Sequence, residues 1–152
     1  MWAFVVLRNM ATNGHKALDY GALNMDRLPT CPTQGSAMKL EEVKEILGCE
    51  VITGEDRLAI EVRAGCGCDL MSDVLAFIKP DALLLTGLST RQVVRTAQVA
   101  DVRAVVFVRG KRPDAETVAL ARENGLPMMV TELLLYEACG RLYERGLKGC
   151  GA

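Results

Sequence analysis

The chain has 152 residues, a hydrophobic fraction of 50%, a charged fraction of 24% and a formal net charge of −1. That length suits one domain with a real core, and the near-neutral balance excludes a general electrostatic pull toward nucleic acid or an anionic membrane. No apolar run approaches the ~18 residues needed to span a bilayer, and "WAFVVL" at the start is too short for a signal-peptide core, so a cytoplasmic setting is expected, with the six cysteines as thiols or ligands rather than a disulfide framework.

Residues 1–37 carry no sustained period, and Asn13-Gly14, Pro29, Pro32 and Gly35 punctuate them. They read as a disordered leader or the product of a mis-assigned start, and Met38 opens a regular pattern. The sole histidine, His15, lies in this leader. From Met38 onward, Ser–His and Cys–His catalysis and a histidine general base are therefore excluded.

"MKLEEVKEILG" places Leu40, Val43, Ile46 and Leu47 on one helical stripe, stopped by Gly48. "CEVIT" (49–53) predicts a first strand, Gly54-Glu55-Asp56 a turn, and "LAIEVRA" (58–64) a second strand. Gly65 and Gly67 then predict a corner leading to a helix over 69–78, with Asp69 as its N-cap. "DALLLTG" (81–87) is apolar throughout, as in a central strand covered on both faces. The helix in "STRQVVRTAQVA" follows, with Ser89 and Gln92 at capping-box spacing. "VRAVVFV" (102–108) is another buried strand, "RGKRP" a basic turn, and 114–124 a helix closed by Gly125. "PMMV" is a short strand, and 131–146 the last helix, with Thr131 as its cap. Residues 148–152 read as a frayed tail. Alternating strands and helices with short connections predict an α/β fold, a three-layer α/β/α sandwich with a mainly parallel sheet.

Ligands of such folds bind beyond the carboxyl ends of the strands. Two loops are expected there: "TGLSTR", with Thr86, Gly87, Ser89 and Thr90, and "RGKRPD", with Arg109, Lys111 and Arg112. Glycine, helix-start amides and cations in that arrangement suit an anion. The competing reading makes Gly87 a turn, Ser89 a cap and the three cations a solvated corner. Neither G-x-x-x-x-G-K-[ST] nor G-x-G-x-x-G after a strand is present, so the common phosphate-loop machinery is excluded. Asp69 and Asp73 stand four apart, a spacing that fits paired carboxylates and equally a cap with a solvated neighbour.

Cys66 and Cys68 flank one glycine and supply at most half of a tetrahedral site. Common zinc knuckles and histidine ligands are missing, so no metal and no cofactor is expected. The two thiols read as small packable side chains at the corner, and one is a candidate for reactivity near a helix start. The alternative is that Cys66 and Cys68 belong to a cysteine-based metal, iron–sulfur or redox protein. Cys139 shares a stripe with Leu135 and Leu142, as a buried residue would.

The segments "DLMSDVLA" and "ALLLTGL" resemble the DRTGG domain family, which is similar to the N-terminal, non-catalytic domain of HPr kinase/phosphorylase. Its members run Asp-Arg-Thr into an apolar helix and end an apolar strand in Thr-Gly-Gly. Asp69, Thr86 and Gly87 retain the pattern; Leu70 and Met71 replace the Arg-Thr, and Leu88 the second glycine. The resemblance spans 38–147 and implies an accessory α/β module without enzymatic activity, regulatory or interaction-bearing, that senses a phosphorylated or nucleotide ligand. It further implies a homo-oligomer, for which Tyr136 and Tyr143, one heptad apart, suit a contact stripe. Stand-alone forms are similar to proteins encoded near iron-hydrogenase genes, which implies a protein partner in redox metabolism.

Overall fold

The computed structural model describes residues 37–150, all within the second of the two units into which the chain divides, Pro32–Ala152. The expected leader lies outside the described residues except for its last position. Met38–Lys39 form a two-residue strand, β1, followed by helix α1, Leu40–Leu47. The helix buries Leu40, Val43 and Leu47 and ends at Gly48, whose φ of 60° is the left-handed value a glycine C-cap adopts. Its start is closed by the Lys39 amide donating to Glu42 Oε2 at 2.8 Å.

The segment read as one second strand is divided between two sheets. β3, Glu61–Val62, pairs antiparallel with β1, while β4, Ala64–Gly67, joins the main sheet. The predicted corner at Gly65 and Gly67 is thus extended backbone, and the turn begins only at Cys68. Small residues leave β4 room to lie close beneath helix α5 (Leu135–Glu144): a Cβ on Gly67 would stand 2.6 Å from Cys139 Sγ.

The main sheet has the order β2 (Glu50–Thr53), β7 (Met128–Val130), β6 (Ala104–Phe107), β5 (Ala82–Thr86), β4. All pairs are parallel except β2 with β7. From β4 to β7 each strand lies beside its successor, so the chain winds in one direction. Helices α2 (Met71–Phe77), α3 (Arg91–Val99) and α4 (Ala115–Glu123) make the crossovers. One direction of winding puts all three on one face, where Met71, Val74, Val93, Val94, Ala97 and Ala121 cover Leu84, Val105, Phe107 and Met128. α1 and α5, at the two ends of the wind, bury Val43, Leu47, Ala138 and Leu142 against Leu83, Leu85, Val106 and Met129 on the other face. The result is the three-layer α/β/α sandwich with a mainly parallel sheet. The unbroken apolar runs of β5 and β6 follow from it, because both faces of those strands are covered.

Three caps differ from expectation. α2 starts after Leu70 and α3 after Thr90, neither with a side-chain cap, and α5 starts after Leu134. Asp69, Ser89 and Thr131 are all free of capping duty. Thr131 instead donates its hydroxyl to the Leu47 carbonyl at 2.7 Å, tying the end of β7 to the end of α1. Lys148 and Gly149, expected in a frayed tail, are held by the edge strand: the Gly65 amide donates to the Lys148 carbonyl at 2.8 Å. No helix among the described residues is long and apolar enough to cross a membrane.

Candidate ligand-binding site

The carboxyl ends of β4, β5, β6 and β7 lie along one edge of the sheet, and β2, running the opposite way, starts there at Glu50. β4 delivers Asp69 to this edge. The Cys68 amide extends the ladder by donating to Leu85 O at 3.0 Å, and the chain then turns so that Asp69 faces the end of β5. Asp69 Oδ1 accepts from the Gly87 amide at 2.6 Å and from the Thr86 hydroxyl at 2.9 Å. Thr86 Oγ1 in turn accepts from the Leu88 amide at 3.1 Å. The hydroxyl therefore works as donor and acceptor at once, which fixes the path of the 86–88 turn.

Arg109 comes from β6. Val108 N donates to Thr86 O, Arg109 N to Leu133 O and Gly110 N to Thr131 O, so this turn is pinned between the ends of β5 and β7. Arg109 and Gly110 both take φ of 62°, a conformation rarely adopted by a residue with a Cβ. The consequence is that the Arg109 side chain crosses the buried Gly87 and places Nη2 3.1 Å from Asp69 Oδ2. A Cβ on Gly87 would overlap Nη2 and lie 2.8 Å from Nε. Gly87 is therefore required for close approach of a side chain rather than for an unusual φ. Similarly, a Cβ on Gly110 would stand 2.6 Å from the Glu132 carboxylate.

Two opposing influences act on the Asp69 carboxyl. Partial desolvation, the largest of them, pushes its pKa up. The Gly87 amide, the Thr86 hydroxyl and the Arg109 charge together outweigh it and hold the group below its ordinary value. Farther along the edge, Arg112 pairs with Glu50 through both guanidinium nitrogens, and each lowers or raises the other's pKa toward the charged forms.

Of the seven residues proposed for an anion site, the fold brings Thr86, Gly87 and Arg109 into one hydrogen-bonded group with Asp69. Ser89 and Thr90 lie at the start of α3 beside it, with no side-chain hydrogen bond among the described residues. Arg112 is engaged with Glu50, and Lys111 makes no ion pair among the described residues. The edge is thus less basic than the sequence suggested, because carboxylates distant in sequence face two of its three cations. Sequence reading missed Glu50 and Glu132 here: Glu50 reaches the edge only because β2 runs antiparallel, whereas Glu132 follows the short strand β7 and shared the signal used for the other two loops. Asp73, the other half of the suggested carboxylate pair, lies in the first turn of α2 and does not join the group.

A groove of about 430 Å³ lies at the opposite edge, where the strands begin. There Arg103 bonds Asp81 at 2.6 Å, and Arg57 donates to the Gly125 carbonyl. The hydrogen-bonded group around Asp69 is not in that groove.

Cys66 and Cys68 turn to different partners. Cys68 Sγ donates to the Leu70 carbonyl at 3.3 Å, whereas Cys66 neighbours Cys150, one step beyond the Gly65–Gly149 bridge. Among the described residues no group of three or more His, Cys, Asp or Glu side chains is arranged to hold a metal ion. Cys49 is buried, which pushes its thiol up to about 12, and burial also raises Cys139.

A family model described as the DRTGG domain matches residues 42–144. The chain belongs to the DRTGG domain family. The Asp69–Thr86–Gly87 contacts give the retained letters of that motif a physical meaning: the carboxylate ties the end of one strand to the Thr-Gly turn of the next. Where the motif has Arg-Thr, this member has Leu70, 58% exposed, and Met71, buried in the core. Among solved structures, the fold is similar to the CBS and DRTGG domains of the regulatory region of Clostridium perfringens pyrophosphatase, complexed with the activator diadenosine tetraphosphate. The TM-score is 0.59 at 18% identity, over 72% of this chain and 47% of that one. The chain thus spans about half the length of that structure, and the likeness is one of fold. Among curated proteins, none matches.

Proposed function

We propose that this DRTGG domain is a non-enzymatic regulatory module that senses a phosphorylated or nucleotide ligand at the Asp69, Thr86, Gly87 and Arg109 edge. The observation that carries the reading is Arg109 held across Gly87 by Asp69, with the first-turn amides of α3 beside it. Arg109 is 43% exposed, so guanidinium N–H groups remain to receive a phosphate while one is engaged by Asp69. Ser89 and Thr90 would add hydroxyls, and Lys111 an exposed cation. An anion drawing on Arg109 weakens its hold on Asp69, which lies two residues beyond the end of β4. Ligand occupancy is thereby linked to the edge strand of the sheet, as a sensor requires.

Family membership supports this reading, as does the regulatory region of similar fold that binds an activating nucleotide. The reading extends to a cytoplasmic homo-oligomer with a protein partner in redox or hydrogenase metabolism. Exposed Tyr136 and Tyr143 on α5 are the surface that favours self-association. The test is titration of the full chain with inorganic phosphate, acetyl phosphate, AMP and diadenosine tetraphosphate by amide NMR. Gly87, Ser89 and Gly110 should shift first, and Arg109→Ala should abolish the shifts. Silence of those amides at millimolar ligand would overturn the reading.

A further inference from the structure

The C-terminal segment runs parallel to the edge strand β4. Gly149 bridges Gly65, and the Gly65 amide donates to the Lys148 carbonyl at 2.8 Å. In a parallel ladder the residues one step on from a bridged pair are cross-strand neighbours on the same side of the sheet. That step brings Cys66 opposite Cys150, near enough for each thiol to shift the other's pKa. Both are free. Neighbouring strands lie ~4.8 Å apart, within the ~4.4–6.8 Å Cα separation that a disulfide needs.

We propose that Cys66 and Cys150 form a dithiol–disulfide redox site that fastens the C-terminal segment to β4. The inference is independent of the nucleotide reading.

The surroundings assign the two sulfurs different roles. Cys66 faces Cys150, with Cys68 and Cys139 also near it, and its pKa is raised by the neighbouring Cys150 thiol and by burial. Cys150 faces Cys66 and Lys79. The Cys66 thiol, then the Lys79 backbone and charge, outweigh its partial burial and lower its pKa. The thiolate is the attacking form and a lowered pKa supplies more of it, so Cys150 attacks first. With a small disulfide such as oxidised glutathione as oxidant, the Cys150 thiolate attacks one sulfur and expels a glutathione thiolate. The Cys66 thiol then loses its proton and attacks the Cys150 sulfur of the mixed disulfide, expelling the second glutathione. Two protein thiols are oxidised, and one small disulfide is reduced to two thiols.

The other cysteines are poor competitors. Cys68 is separated from Cys66 by one residue in an extended strand, which directs a bond between them into a strained ring. Cys139 packs with α5 in the core of the opposite face, over Gly67.

The experiment incubates the reduced full chain with oxidised glutathione, quenches in acid and maps the linkages by mass spectrometry. A Cys66–Cys150 link, with loss of two hydrogens, is expected in wild type, Cys68→Ser and Cys139→Ser. Cys66→Ser should instead stop with glutathione on Cys150. The wild-type map answers the question even where a variant folds poorly. In parallel, iodoacetamide should label Cys150 first, and Cys66→Ala should raise the pH midpoint of that labelling. A dominant Cys66–Cys68 link, glutathione stranded on Cys150 in wild type, or no reaction at Cys150 would overturn the proposal.

Discussion

Gly87→Ala tests whether the motif glycine is there to accommodate Arg109. The three atoms nearest the new methyl all belong to the guanidinium end of Arg109, so the flexible side chain swings out and the fold survives. What is lost is the contact between Arg109 and Asp69, groups 43% and 47% exposed, worth about 0.5–1 kcal/mol at that exposure. Gly87 lies outside the left-handed region, so alanine fits its backbone and recovers about 0.4–1 kcal/mol through the unfolded chain. The net change in stability stays within ~1 kcal/mol, or about 5 °C in Tm for a domain this size. The Asp69 pKa, followed by carboxyl NMR, should rise as the Arg109 charge departs. In an Arg109→Ala background, Gly87→Ala should be neutral or mildly stabilising. Urea unfolding of the four proteins of this cycle measures the coupling. A loss of ~3 kcal/mol or more on Gly87→Ala, or an equal loss in both backgrounds, would show that the glycine serves the backbone itself rather than the passage of Arg109.

The Asp69 carboxyl titrates below its ordinary value in the folded chain, so its contribution is present above the unfolded pKa and is lost as pH falls through the folded one. Asp69→Ala should therefore flatten the acid limb of a stability–pH profile between pH ~4 and the folded value, and an unchanged limb would place the acid sensitivity elsewhere. Thr131→Val removes the buried hydroxyl bonded to the Leu47 carbonyl and should cost about 1–2 kcal/mol by urea unfolding; a neutral result would mean that the α1 terminus is satisfied without it.

Local chemistry made the alternation of elements readable. Leu40, Val43 and Leu47 at helical spacing, the unbroken Leu83–Leu84–Leu85 run, and glycines 48 and 125 behind their helices carry their meaning within a few residues of themselves. The one wrong division, between β3 and β4, arose because 58–64 alternates like a single strand while its halves pair with different partners. Alternation records which side chains are buried, not which strand they face. Cap assignments failed for a related reason: Asp69, Ser89 and Thr131 have good capping chemistry, but Asp69 and Thr131 found stronger partners across the fold, at Gly87 and Leu47.

The site divides in the same way. Sequence alone could point to Thr86-Gly87 and the cations of 109–112, since glycine after a buried strand and a basic turn before a helix are local signals. It could not show that Asp69 reaches 18 positions along the chain to Gly87, or that Arg109 reaches back 40 positions to Asp69. Those contacts exist because one-directional winding sets β4, β5 and β6 side by side with their ends level. The Cys66–Cys150 pair depends on the same edge: β4 is the last strand of the sheet, and its open side is where the end of the chain finds hydrogen bonds. Residue type and spacing determine the elements; which side chains meet is decided by strand order, a property that no short stretch of sequence contains.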